Sequence, residues 1–219
     1  MSAPARRDGA HDEPPHDGRS TRAAAMRESR RRAVLDASLR VFSEKGYHAT
    51  RISDLIEAAG IARGTFYLYF ESKNAIFHEL LDQLLERIRA SVDGVDTRVD
   101  AAPLREQLLV IVRRVLATFH QHPELTRLVL RSAPGLDDEV DRKLAAFYGQ
   151  LHAWLAVSLQ NAQALGLMRV LDVDFVSWSV IGAVKQIVEL SLERREGADL
   201  DRATRALLDL HLDGMLLAR

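Results

Sequence analysis

Apolar residues recur along this chain at spacings of three and four, the pattern of one helix face packed on a core. Leu35, Leu39 and Phe42 predict a first helix over about 27–45, ended by Gly46, a residue free to turn left-handed. Thr50 is placed to cap a second helix, although Ser53 at the third position withholds a full capping box. That helix aligns Ile52, Leu55, Ile56 and Ala59, and Gly60 closes it. Ile61 leads into a third helix over about 62–70, and a fourth runs from Ser72 to about Ser91 with Ile76, Leu80, Leu84 and Ile88 in register. The stretch 92–103, with Gly94 and Pro103, is a break. Beyond it the pattern predicts helices near 103–121, from Pro123 to about Arg131, near 137–165, near 173–195 and near 199–218. The longest aligns Val140, Leu144, Phe147, Leu151, Leu155 and Leu159 and stops at Gly166. Strand alternation is scarcely visible, so the expected class is all-α.

The second and third helices are too short to persist alone, because isolated helices below about 12–15 residues are marginal in water. They must pack together across "AAGIAR", a tight Gly-containing turn, with the first helix as the third wall. Helix, short turn and helix form the helix-turn-helix unit, whose second helix can enter a DNA major groove. The residues that follow sort by direction. Ala62, Phe66 and Phe70 lie four apart and are predicted to face inward. Arg63 and Tyr67 share another face, Gly64 stands beside them, and Thr65 lies near the same edge. A threonine can bond base edges and meet a thymine methyl; an arginine can bond guanine or a phosphate. Gly64 permits close approach, the hydroxyls of Tyr67 and Tyr69 suit phosphate oxygens, and Lys73 stands where free helix amides also favour an anion. The competing reading is a tyrosine-rich core turn.

Composition changes this picture in two places. Residues 1–25, "MSAPARRDGAHDEPPHDGRSTRAAA", hold almost nothing large and apolar and are expected to be a disordered tail. The net charge of -1 is unevenly spread: residues 19–51 carry nine Lys/Arg against three Asp/Glu, and residues 91–219 carry fifteen against eighteen. Only the front of the molecule is therefore expected to meet a polyanion. Zero cysteines exclude disulfides and thiolate metal sites. No stretch approaches about 20 continuous apolar residues, and the N-terminus lacks a secretory h-region, so a cytoplasmic protein without a membrane partner is expected.

The segment "RRAVLDASLRVFSEKGYHATRISDLIEAAGIARGTFYLYFESKNAIF" resembles the N-terminal domain of the TetR family of transcriptional regulators, most specifically in "GTFYLYFESK". The resemblance implies a DNA-binding domain over 26–73 and a larger helical ligand-binding and dimerisation domain over 74–219. It implies that Thr50 and Arg51 touch backbone phosphates. Arg63, Gly64, Thr65, Tyr67 and Tyr69 would form the recognition surface, and Lys73 would clamp a phosphate. The run Arg30-Arg31-Arg32, with Arg27, stands in front as a source of further contacts or as a solvated helix start.

The last two helices are apolar on more than one side, through Val176, Trp178, Val180, Ile181, Ile187, Val188, Leu190 and Leu192, then Leu200, Ala203, Leu207, Leu208, Leu210, Leu212, Met215 and Leu216. A helix apolar on two sides must bury both, either centrally in a monomer or with one side on a second copy; the resemblance favours the second, so they are the expected homodimer interface. The resemblance further implies that the helices before them enclose a small-molecule effector, for which Phe119, His122, Phe147, Trp154 and Trp178 are candidate contacts, with plain core packing the competing reading of each. The reading is an operator-binding regulator, a repressor released by a small, largely apolar ligand. Neither a cofactor nor a resident metal is expected, nor is catalysis. HExxH, a Gly-rich phosphate loop and G-x-S-x-G are missing, which leaves His120-Gln-His122 near Glu124 as the one metal-like cluster behind an enzyme reading. A DNA-binding protein without an effector and a helical protein–protein module are the remaining rivals.

Overall fold

The computed structural model describes residues 18–92, 94–96, 98, 100–193 and 199–215. Among these residues run nine helices and no strand. They are α1 (Gly18–Lys45), α2 (Ile52–Ala59), α3 (Arg63–Tyr67), α4 (Lys73–Ser91), α5 (Leu104–Gln121), α6 (Pro123–Ser132), α7 (Asp138–Ala164), α8 (Val173–Glu193) and α9 (Leu200–Met215).

Three local predictions need correction. Helix α1 reaches back to Gly18, into the stretch expected to be disordered. Extending a helix already held by packing needs no new nucleus, and Ala, Arg, Met and Glu are good helix formers. Residues 1–17 lie outside the described residues. Thr50 does not cap α2: its hydroxyl donates to the Gly46 carbonyl at 2.7 Å and the residue is only 2 % exposed. Arg51 takes the capping position instead, its N–H bonded to the Asp54 carboxylate at 2.8 Å. Helix α3 is five residues long rather than nine, although the chain stays turned to Phe70, whose N–H bonds the Phe66 carbonyl at 3.0 Å. Between α2 and α3 the backbone reverses at Gly60, φ 61°, a conformation that disfavours any side chain.

One core joins the front of the chain to the rest. Val34, Leu35 and Phe42 of α1, Leu55 of α2 and Phe66 and Phe70 pack with Ile76, Phe77, Leu80 and Leu81 of α4, and the same cluster continues to Leu125 and Leu128 of α6 and Val140 and Phe147 of α7. Helices α1 to α3 thus form a head whose interior is closed by α4, the element that also enters the larger body. In the body α5 packs on α9 and α7 on α8. Helix α8 is long and apolar enough by composition to cross a bilayer, yet it carries Lys185 and Glu189, 3.6 Å apart, in its second half and packs against α5, α6, α7 and α9.

Phe66 is 0 % exposed and is the one fully buried side chain of α3. Replacing it with alanine leaves a ring-sized hole, so Phe66→Ala is expected to lower stability by about 3–5 kcal/mol in urea denaturation.

Candidate nucleic-acid interface

The inward anchoring of α3 determines what it shows outside. With Phe66 and Phe70 fixed in the core, Arg63, Gly64 and Tyr67 are exposed and Thr65 is half-buried at their edge. Tyr67 is 43 % exposed, its ring edge-on to Phe66 at 5.5 Å, with the Arg63 guanidinium 6.0 Å from its centre. A Cβ added at Gly64 would meet nothing within 4 Å, so this glycine leaves an open approach rather than relieving an internal clash. Ala62, expected inside, is exposed, and Tyr69 is half-buried against the edge of the core. Arg51 is exposed at the start of α2 and joins the outer surface; the Thr50 side chain does not.

Lys73 is engaged within the head. Its ammonium donates to the carbonyls of Tyr47 at 2.9 Å, Thr50 at 3.0 Å and His48 at 3.3 Å, and lies 4.6 Å from the centre of the Tyr47 ring. Three donors meet three acceptors. Lys73 therefore staples the α1–α2 connection to the first turn of α4, and a phosphate would have to displace one of those carbonyls. Asp54 makes a second fastening, pairing with Lys45 at 3.1 Å. Its carboxyl is held below the usual range, chiefly by the Arg51 N–H and then by Lys45.

From Lys73 a polar chain leads into the body. The Tyr47 hydroxyl donates to Asn74 Oδ1 at 3.4 Å, and Asn74 Nδ2 donates to Asp137 Oδ2 at 3.0 Å. Asp137 caps α7 by accepting the Val140 N–H at 2.8 Å. His78 bridges Asp137 and Glu139, with one ring nitrogen 3.2 Å from each carboxylate. The Val140 N–H foremost, with Asn74 and His78, holds the Asp137 carboxyl down to about 2, against a smaller opposing effect of burial.

Helix α7 then borders an apolar cavity of about 280 Å³ between α4, α5, α6, α7, α8 and α9. Of the residues expected to contact an effector, Phe119, Phe147 and Trp154 line it. His122 does not: it sits at the α5–α6 junction, its carbonyl accepting the Thr126 hydroxyl at 2.9 Å, and burial followed by the Arg87 charge depresses its imidazole pKa. Trp178 is also outside the cavity, stacked on His152 at 4.7 Å and 46 % exposed. Leu108, Ile111, Met168 and Val184 are also in the wall, and Tyr148, Ser158, Lys185 and His211 supply polar atoms. Burial is the main cause that raises the Tyr148 phenol above its ordinary pKa. Periodicity could mark these wall positions as buried, but not as facing a void. Of the metal-like cluster, His120 directs Nδ1 to the Leu116 carbonyl at 2.9 Å, an intrahelical contact.

A small three-helix head presenting a short helix with an arginine–threonine–tyrosine side defines a helix-turn-helix DNA-binding protein. Residues 34–80 match the family model for bacterial regulatory proteins of the tetR family. The fatty acid metabolism regulator protein of Bacillus subtilis is 25 % identical over 190 residues, covering 83 % of this chain and 93 % of the relative. The HTH-type transcriptional regulator RutR of Escherichia coli is 32 % identical over 143 residues, 64 % of this chain and 65 % of RutR. A transcriptional regulator of Saccharomonospora viridis, solved in complex with choline, has the same fold, with a TM-score of 0.70 at 21 % identity over 87 % of this chain and 100 % of that one. The chain is a DNA-binding transcriptional regulator of the TetR type.

Two outcomes test the polar chain. Lys73→Ala should cost about 1.5–3 kcal/mol of stability in urea while changing the salt dependence of DNA binding by less than about one unit of slope. Asp137 is held as a carboxylate below its unfolded value, so its contribution is complete above about pH 4 and is lost as pH falls toward 2. Denaturation followed from about pH 6 to about pH 2.5 should therefore show a flatter acid limb for Asp137→Asn than for the wild type.

Proposed function

We propose that the protein is a homodimeric repressor of the cytoplasm that occupies an operator through α3 and leaves it when a small, largely apolar ligand enters the cavity. The observation that carries this reading is the division of α3, with phenylalanines inside and Arg63, Gly64, Thr65 and Tyr67 outside. Arg63 and Thr65 read base edges, Tyr67, Tyr69 and Arg51 bond phosphates, and Lys73 holds the α1–α2 connection in the shape that makes this possible. The protein acts by occupying DNA rather than by catalysis.

Dimerisation through α8 and α9 is supported by a stripe that its own fold leaves uncovered. Phe175, Trp178, Gly182, Gln186 and Leu190 are exposed along one side of α8, and Leu210 is exposed on α9. Phe175 is 74 % exposed, a costly position for a phenylalanine without a partner. Two-fold symmetry would set two heads on half-sites about 34–36 Å apart. The ligand reading is supported by the cavity's hydrocarbon wall and by the name of the Bacillus subtilis relative, a fatty acid metabolism regulator. A ligand seated there touches α4 and α7, the helices joined by Asn74, His78 and Asp137, and a coupling of about 1–3 kcal/mol would suffice for release.

Selection from random DNA should yield a palindromic operator. On it Thr65→Ala and Arg63→Ala should relax base preference, each lowering discrimination by about 1–3 kcal/mol at one position, and fatty acids are the first probes for release. Phe175→Glu with Trp178→Glu should sediment as a monomer where the wild type sediments as a dimer. A wild-type monomer at micromolar concentration contradicts the dimer.

A further inference from the structure

Among the described residues, the front of α1 is an exposed helix. Every residue from Thr21 to Arg30 is exposed, and the first buried side chain is Val34. At 1.5 Å per residue, these ten positions carry about 15 Å of helix clear of the head. Arg22, Arg27 and Arg30 lie on it, without an ion pair among the described residues, and Glu28, its one acidic residue, is occupied by Arg32 at 3.0 Å.

Position sharpens this. The packed stripe of α1 runs Val34, Ala37, Val41, and continuing it backwards at the same three-and-four spacing gives Arg30 and then Arg27. The side of the helix that is apolar over the core thus turns basic where the core ends. Arg22, Met26 and Arg30 at four-residue spacing border the same side. The root of the overhang is fastened to the head: the Arg31 guanidinium stacks 4.8 Å from the ring centre of Phe70, the buried residue that follows α3, and bonds Glu79 on α4.

We propose that this overhanging helix is an arm that binds duplex DNA outside the segment read by α3, with Arg22, Arg27 and Arg30 on phosphates. Charge complementarity selects the duplex as occupant, and the arm is the front of the same helix that forms one wall of the head, so the proposal rests on the head being a DNA-binding unit. A reach of about 15 Å spans about four to five base pairs, since phosphates on one strand advance about 3.4 Å each. The arm lengthens the footprint and adds affinity with little base preference.

The test uses the full chain with Arg22→Gln, Arg27→Gln and Arg30→Gln combined, a change that keeps helix-forming side chains. Its probes are the selected operator within a duplex of about 50 base pairs and the same operator trimmed of about five base pairs at each flank, the reach of the arm. On the long duplex the slope of log affinity against log salt should fall by about two to three per bound protomer, at about 0.9 per phosphate. On the trimmed duplex the triple variant and the wild type should agree. The pair Arg142→Gln and Arg169→Gln, exposed arginines of the body, should leave both slopes unchanged. Equal slopes for triple variant and wild type on the long duplex would overturn the arm. An equal loss on both duplexes would overturn it too, by showing a general field rather than a flanking contact. Failure of the wild type to bind any duplex at low salt is a different result, which removes the DNA reading itself.

Discussion

Five residues of helix cannot hold a shape in water, and the head depends on how this one is held. Phe66 and Phe70 are anchored among Leu35, Phe42, Leu55 and Phe77, side chains from three other helices. That anchoring fixes the rotation of α3 about its axis. Turned by about a third of a circle, the same residues would bury Tyr67 and expose Phe66. The outer side of α3 is therefore a by-product of hydrophobic packing, and its polar residues need no fastening of their own. The structure reinforces this at the turn before α3, where Gly60 adopts a backbone that other residues resist, and at the loop before α2, where Lys73 gathers three carbonyls.

Helix α4 makes the head and the body one mechanical object. Its first turn carries the lysine that staples the head, its next residues reach Asp137 at the start of α7, and its later leucines line the cavity. A ligand that moved α7 against α4 would strain a short series of hydrogen bonds ending at the α1–α2 connection. Such coupling, about 1–3 kcal/mol, is small beside the burial that holds the head together, so the release proposed above would proceed by tilting an intact head rather than by melting it.

Much of this is legible in the sequence because it is local. The three-and-four spacing of Ile76, Leu80, Leu84 and Ile88 marks α4 to within a residue of its observed start, and the Phe66–Phe70 pair tells the inside of α3 from its outside. Sequence reasoning fails where the deciding partner is distant or where composition misleads. Thr50 is a good capping residue by type, yet the Gly46 carbonyl takes its hydroxyl. The carbonyls that engage Lys73 lie 23 to 26 residues earlier, and no spacing announces them. The polar stretch ahead of Met26 offers nothing to bury and so reads as a tail, although a helix already nucleated by Val34 and Leu35 extends without burial. Apolar periodicity also cannot separate a packed interior from a cavity wall or from an outward face. Nothing local distinguishes Phe147 and Trp154, which line the cavity, from the equally large Trp178, which does not.

The rotation of α3 is open to a direct measurement. A photoreactive benzoylphenylalanine in place of Tyr67, irradiated with a labelled duplex at low salt, should give a DNA adduct, and the same group at Trp178 should give none. Equal adducts at the two positions, or none at Tyr67 under conditions where the protein retards the duplex, would contradict the claim that this side of α3 meets the double helix.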